Sequence, residues 1–207
     1  YLSMCSGYYS YREGYTPDFP GRDRFAGPVV HPQQWPEDLD VSGQRVVVIG
    51  SGATAMTLVP AMAETAAHVT MLQRSPTWVA ARPGEDRIAN GLRRVLPDRA
   101  AYAATRRKNT ALQQFFYRRT RTQPEKVGDL LLRGVRDALG PDYDVDTHFT
   151  PSYHPWDQRL CLVPDGDLFD AINAGTASVV TDHIDTFTET GVQLRSGAHL
   201  DADIVVT

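Results

Sequence analysis

The run Arg45-Val46-Val47-Val48-Ile49 leads straight into Gly50-Ser51-Gly52-Ala53-Thr54-Ala55, and no other stretch narrows the possible folds as much. The first five residues are β-branched and almost wholly apolar, as expected of a parallel strand buried on both faces. The small residues that follow have separate tasks. Gly50 permits a tight turn, and Gly52 lets the backbone approach an anionic group. Ala55, standing in for a third glycine, allows the next helix to pack closely on the strand. That helix is expected over about residues 53–65, with its unpaired N–H groups and positive dipole end turned toward phosphate at Gly50, Ser51, Gly52, Ala53 and Thr54.

A second strand is expected at His68-Val69-Thr70-Met71-Leu72-Gln73, followed by Arg74-Ser75-Pro76. In a dinucleotide site of this order, NAD calls for a carboxylate here to meet the ribose hydroxyls, whereas a guanidinium meets a 2′-phosphate with paired hydrogen bonds. Gln73-Arg74 therefore points to NADP, with Ser75 adding a hydroxyl donor. The plainer reading of Arg74 is a solvated side chain at a strand end.

The 207 residues are 42% hydrophobic, enough for one large domain or one domain with an appendage. A net charge of −4 and a pI near 5.8 give no overall reason to expect a nucleic-acid partner. The charge is uneven, because 10 of the 21 basic residues lie between Arg93 and Lys126 against only Asp98 and Glu125. That block reads as a solvated helical face, with docking to nucleic acid or an anionic membrane as the less favoured alternative. Cys5 and Cys161 belong to no metal or redox pattern and read as buried thiols of a reducing compartment, and no metal site is expected. No stretch has the length of a transmembrane segment and no export signal is visible, so a cytoplasmic setting is expected. The chain starts at Tyr1 and stops within Ile204-Val205-Val206-Thr207, which suggests a piece of a longer polypeptide.

Along the chain, residues 1–6 read as a strand tail, and residues 11–42, rich in Pro, Gly, Asp and aromatics, as an ordered irregular connection. A helical insertion is expected over about 85–140, broken at Gly91, Pro97, Pro124 and Gly140-Pro141, with apolar faces from Leu112, Phe115, Phe116, Leu130 to Leu132, Val135 and Leu139. A short helix is expected over 167–174. Short strands follow at 178–180, 183–188, 192–194 and 203–207. The fold class is therefore α/β, a Rossmann-like NAD(P)-binding domain with a helical insertion and a small antiparallel β-meander. Residues 1–44 would form a connecting segment and residues 45–207 the nucleotide-binding domain.

Phe25-Ala26-Gly27-Pro28-Val29-Val30-His31-Pro32-Gln33-Gln34-Trp35-Pro36 matches the F-x-G-x-x-x-H-x-x-x-W-P signature of the Baeyer–Villiger monooxygenases, just ahead of the glycine turn. With Cys5-Ser6-Gly7-Tyr8-Tyr9, Pro17-Asp18-Phe19-Pro20-Gly21, Gln73-Arg74-Ser75-Pro76-Thr77-Trp78 and Pro155-Trp156-Asp157-Gln158-Arg159, the chain resembles the ethionamide-activating branch of that class B flavoprotein family.

The resemblance implies an enzyme in which NADPH reduces FAD and one oxygen atom of O2 is inserted beside a carbonyl or placed on sulfur. Its substrate would be a small-molecule ketone, aldehyde or thioether. FAD would be held by a domain of the same polypeptide not represented in these residues, and this piece alone would be inactive. Arg159 matches the family's active-site arginine, although from residues alone it is a basic side chain near a turn. Gln158 stands where a lysine commonly assists the 2′-phosphate, so its contribution would be hydrogen bonding without charge. His31, counted with Arg159 among the catalytic residues, is assigned to coupling the domains as the cofactor moves. A structural hydrogen-bonding role suits its irregular surroundings equally. Trp35 and Trp156 read as packing anchors.

Three alternatives remain at this point. A flavin-dependent N- or S-oxygenating monooxygenase shares much of the signature. A pyridine nucleotide–disulfide reductase shares the domain pair but needs a cysteine pair that the sequence lacks. A noncatalytic NADP-binding sensor would use the basic block to dock a partner.

Overall fold

A computed structural model describes Leu2, Ser3, Cys5, Ser10 and residues 14–207. The strand tail expected over residues 1–6 and the Ser6–Tyr9 part of the family-like motifs fall largely outside these residues. The chain forms two compact units, residues 1–75 with 171–207, and residues 76–170.

The first unit is built on a five-stranded parallel sheet. Its strands are β1 (Val29–Val30), β2 (Arg45–Ile49), β3 (His68–Gln73), β6 (Ala177–Thr181) and β10 (Ile204–Val206), in the order β1-β10-β2-β3-β6. Strand β2 lies at the centre, with Val47 level with Val205 on one side and Thr70 on the other. Val46, Val47 and Val48 are buried, as the unbroken apolar run requires of a strand covered on both faces. Helix α1 (Ala53–Ala63) follows and packs on β2, β3 and β6 through Ala55, Met56 and Val59. The expected strand at 178–180 is β6, which joins the parallel sheet beside β3 as its edge strand.

The meander itself is β7 (Ile184–Thr188), β8 (Gly191–Leu194) and β9 (His199–Asp201), paired antiparallel. Strand β9 escapes sequence reading because three residues with two exposed polar side chains carry no strand signal. The connecting segment is tied to this meander. Phe187 N–H donates to Pro20 O at 2.7 Å, Thr186 Oγ1 to the same oxygen at 3.0 Å, and the rings of Phe19 and Phe25 lie 5.5 and 6.1 Å from that of Phe187. These rings enter a core with Val47, Leu72, Val192 and Val205.

The second unit contains β4 (Trp78–Arg82), α2 (Arg87–Val95), α3 (Asp98–Thr122), α4 (Pro124–Leu139), α5 (Val145–Phe149) and β5 (Leu160–Pro164), and the chain leaves it within α6 (Asp167–Asn173). Strands β4 and β5 pair in parallel, with Trp78 level with Leu160. Prolines 97 and 124 and Gly140 separate the helices as expected. Gly91 does not: it lies inside α2, where the Asp86 cap, accepting from Ala89 N–H at 3.0 Å, sustains the first turn. Leu131, Leu132, Val135 and Leu139 of α4 are buried, but Leu112 and Phe115 of α3 are 53% and 60% exposed and Leu130 is also exposed, against the apolar faces expected of them. Their spacing allows a buried stripe, yet within this unit nothing covers it.

Two tests follow from the first unit's architecture. Gly21 has φ +71, and a Cβ there would lie 2.7 Å from Phe187 O, so Gly21→Ala is expected to lower stability by roughly 1–3 kcal/mol in chemical denaturation. Asp203 accepts from the Arg45 side chain at 2.8 Å and from its backbone N–H at 2.8 Å, which hold its carboxyl at about 2. A carboxyl lowered on folding stabilises the fold above its ordinary value of 3.8, and that contribution is lost as pH falls through about 2. Asp203→Asn should therefore narrow the gap between melting temperatures measured at pH 6 and pH 3.

Candidate functional site

At the end of β2 the chain turns on Gly50, whose φ of +122 a side-chain-bearing residue rarely adopts, and whose N–H donates to Leu72 O at 2.7 Å. Gly52 is extended and precedes α1 without any side-chain cap on the helix, and the first turn of α1 holds no acidic residue. Ala53 and Thr54 are exposed while Ala55 is buried against the sheet, the division of labour expected of the small-residue turn. The uncapped N–H groups carry the positive end of an 11-residue helix dipole.

Ser51 is only 4% exposed, and its Oγ donates to Ser75 O at 3.4 Å. This contact joins the glycine turn to the residue after Arg74. Arg74 and Ser75 are both exposed, and Arg74 forms no ion pair among the described residues. Gln73 is buried and its Nε2 donates to Thr181 Oγ1 at 2.9 Å, so its amide serves the sheet and leaves Arg74 as the outward cation. An uncapped helix start and an outward guanidinium tied into the same turn suit a dinucleotide carrying a third phosphate.

A cleft of about 440 Å³ opens over the turn, lined by Gly50, Gly52, Thr54, Ala55, His31 and Thr207 among others. His31 precedes a short 3₁₀ turn and its Nδ1 accepts from Gln33 N–H at 3.1 Å, so the neutral imidazole carries its proton on Nε2. The ring lies against Gly14, where a Cβ would come within 1.9 Å of Cε1. Sequence reading missed Thr207 as a lining residue. Its place follows only from β10 lying between β2 and β1, with the Thr207 N–H donating to Val30 O of β1 at 2.9 Å.

Gln158 and Arg159 belong to the second unit, at the end of an exposed turn that runs into β5. Both side chains are exposed. The Arg159 carbonyl accepts from Tyr153 Oη at 3.0 Å, and the Tyr153 carbonyl accepts from Trp78 Nε1 at 2.7 Å. Trp156 is no packing anchor within this unit: it is 44% exposed, with φ +70 at the apex of the turn. Trp35 is half-buried. Cys161 is buried, which pushes its thiol up, but Cys5 is exposed, contrary to the reading of both as buried thiols. Within the basic block, Lys108 pairs with Asp86 and Arg121 with Asp157. Among the described residues no helix is long and apolar enough to cross a membrane, and no three His, Cys, Asp or Glu side chains gather as a metal site would need.

Residues 2–121 match the family model described as flavin-binding monooxygenase-like. The whole chain is 55% identical over 208 residues to the probable FAD-binding monooxygenase AlmA of Acinetobacter baylyi, and 53% identical over 208 residues to the FAD-containing monooxygenase EthA of Mycobacterium tuberculosis. In both comparisons it spans 42% of the relative's length. Among solved structures, an oxidized steroid monooxygenase bound to NADP superposes over 93% of this chain and 44% of its own with a TM-score of 0.69 at 21% identity. The cyclohexanone monooxygenase of Rhodococcus sp. Phi1 bound to NADP+ superposes over 93% of this chain and 43% of its own, with a TM-score of 0.67 at 18% identity. At such identities the likeness is one of fold. The match of the family model to more than half of the chain, over the residues that build the connecting segment and the glycine turn, shows that the chain belongs to the flavin-binding monooxygenase-like family.

Proposed function

We propose that this chain is the NADPH-binding part of an FAD-dependent monooxygenase of Baeyer–Villiger type, with residues 1–44 as the connection to the FAD domain and 45–207 as the NADPH-binding domain. The observation that carries the reading is the uncapped start of α1 beyond Gly50-Ser51-Gly52, tied through Ser51 and Ser75 to an outward Arg74. The pyrophosphate would lie on the N–H groups of Gly52, Ala53 and Thr54, with Gly50 and Ala55 permitting the close approach. Arg74 and Ser75 would take the 2′-phosphate. Gln158, uncharged, would add at most a hydrogen bond, so selectivity for NADPH over NADH rests on Arg74.

When bound, FAD supplies the redox centre that accepts hydride from NADPH and activates O2. The relatives named as FAD-containing or FAD-binding monooxygenases support this partner, as does the match to the flavin-binding family model. The substrate would be a small ketone, aldehyde or thioether. Arg159, permanently cationic and rich in donors, is suited to stabilising negative charge as oxygen is transferred. His31, at the cleft wall and hydrogen-bonded within the connecting segment, would couple cofactor position to that segment. The chain on its own is proposed to lack turnover, since nothing in it is assigned to FAD.

In the full-length protein, Arg74→Ala is expected to weaken NADPH by ~2 kcal/mol, about thirtyfold, while leaving NADH nearly unchanged in parallel titrations. Equal weakening of both would remove the 2′-phosphate role. His31→Ala should slow flavin reduction or the later oxygenation step in stopped-flow absorbance. Wild-type rates in both phases would overturn the coupling role.

A further inference from the structure

The glycine turn and the bend after β3 are joined by a backbone hydrogen bond and by a side chain. Gly50 N–H donates to Leu72 O at 2.7 Å, which fixes the start of the turn against β3. Ser51 then supplies the side chain, its Oγ donating to Ser75 O at 3.4 Å. Gly50 and Gly52 both line the cleft, whereas Ser51 between them does not and is only 4% exposed. Its hydroxyl therefore serves the exit of β3, a different task from that of the small residues around it.

Arg74 stands between two held carbonyls. On its N-terminal side Gln73 O accepts from Asp182 N–H at 2.9 Å, and the Gln73 amide donates to Thr181 Oγ1 at 2.9 Å, so β3 is secured up to its last residue. On its C-terminal side the held carbonyl is that of Ser75, the acceptor for Ser51. Arg74 and Ser75 form a bend beyond the strand, followed by Pro76, which has no N–H to donate. The Ser51 hydroxyl thus ties the glycine turn to the residue next to the guanidinium.

We infer that Ser51 is a positioning residue for cofactor choice: by hydrogen-bonding the Ser75 carbonyl it sets the root of the Arg74 side chain relative to the start of α1. It favours a 2′-phosphorylated dinucleotide without touching the phosphate. The inference rests on the reading of Arg74 as the group that meets the 2′-phosphate. A dinucleotide bearing that group has to satisfy the helix start and the guanidinium at once, so the distance between the two must be held, and a loosened bend makes the cofactor bear the cost of ordering it. NAD engages only the helix start and is indifferent to the bend.

The test is titration calorimetry of NADP+ and NAD+ on the full-length FAD-loaded protein, with NAD+ measured by displacement of NADP+ where its own heat is too small. Ser51→Ala is expected to weaken NADP+ about three- to tenfold and NAD+ by less than about twofold. In an Arg74→Ala background the same change should leave NADP+ nearly unaltered, because a bend without its guanidinium has nothing to position. Ser51→Cys, whose thiol is a weak donor, should also weaken NADP+ selectively, and it takes the place of the alanine variant if that protein is unfolded at the assay temperature.

Wild-type NADP+ affinity in the Ser51 variant, equal weakening of both dinucleotides, or an undiminished effect in the Arg74→Ala background each overturns the inference. Arg74→Ala alone tells the two readings apart. If it weakens both dinucleotides equally, the 2′-phosphate role falls and takes this inference with it. If it weakens NADP+ selectively while the Ser51 variant does not, only the role of Ser51 falls.

Discussion

The burial of β2 on both faces is the constraint from which the rest follows. Val46, Val47 and Val48 are buried between β3 and β10, so the strand can neither slide nor rotate, and its end delivers Gly50 to one place. From there Gly50 N–H donates to Leu72 O, which ties the turn to the end of the neighbouring strand before α1 begins. The geometry of the glycine turn is therefore a property of the sheet. A loop of the same composition on a mobile surface would not hold its N–H groups together.

Electrostatic preparation is the second theme. The start of α1 carries no acidic residue and no side-chain cap, an arrangement that leaves N–H groups unsatisfied unless solvent or a ligand meets them. In a helix with a purely structural role, Ser, Thr, Asp or Asn is the ordinary choice at that position, as Asp86 is for α2 and Asp144 for α5, each accepting from a first-turn N–H at 3.0 Å. Arg74, outward and in no ion pair among the described residues, extends the same logic to the neighbouring strand.

The connecting segment shows how an apparently irregular stretch acquires order. Its sequence has no helical or strand period, yet Phe19 and Phe25 pack on Phe187 while Pro20 O accepts two hydrogen bonds from β7. The same segment contributes β1 to the parallel sheet and His31 to the cleft wall. The family-like signature, spanning Phe25 to Pro36, thus links a core anchor at one end to a cleft residue near its middle.

Local signals were sufficient for β2, α1 and β3, whose apolar runs and small-residue turn leave one reading, and for the prolines that separate the helices. They also carried the family resemblance, because the spacing of Phe25, Gly27, His31, Trp35 and Pro36 is written in the chain itself. Pairing was another matter. That β10 lies beside β2 and brings Thr207 to the cleft, that β6 pairs with β3 in the parallel sheet, and that Gln73 turns to Thr181 while Arg74 faces outward all depend on contacts between residues more than 100 positions apart. The ion pair between Arg121 and Asp157 was equally hidden, since a basic run looks the same whether its members are solvated or engaged. Sequence encodes backbone preference and polarity residue by residue, whereas the partner of each strand edge and each charge is chosen by the packing that buries the remaining apolar surface.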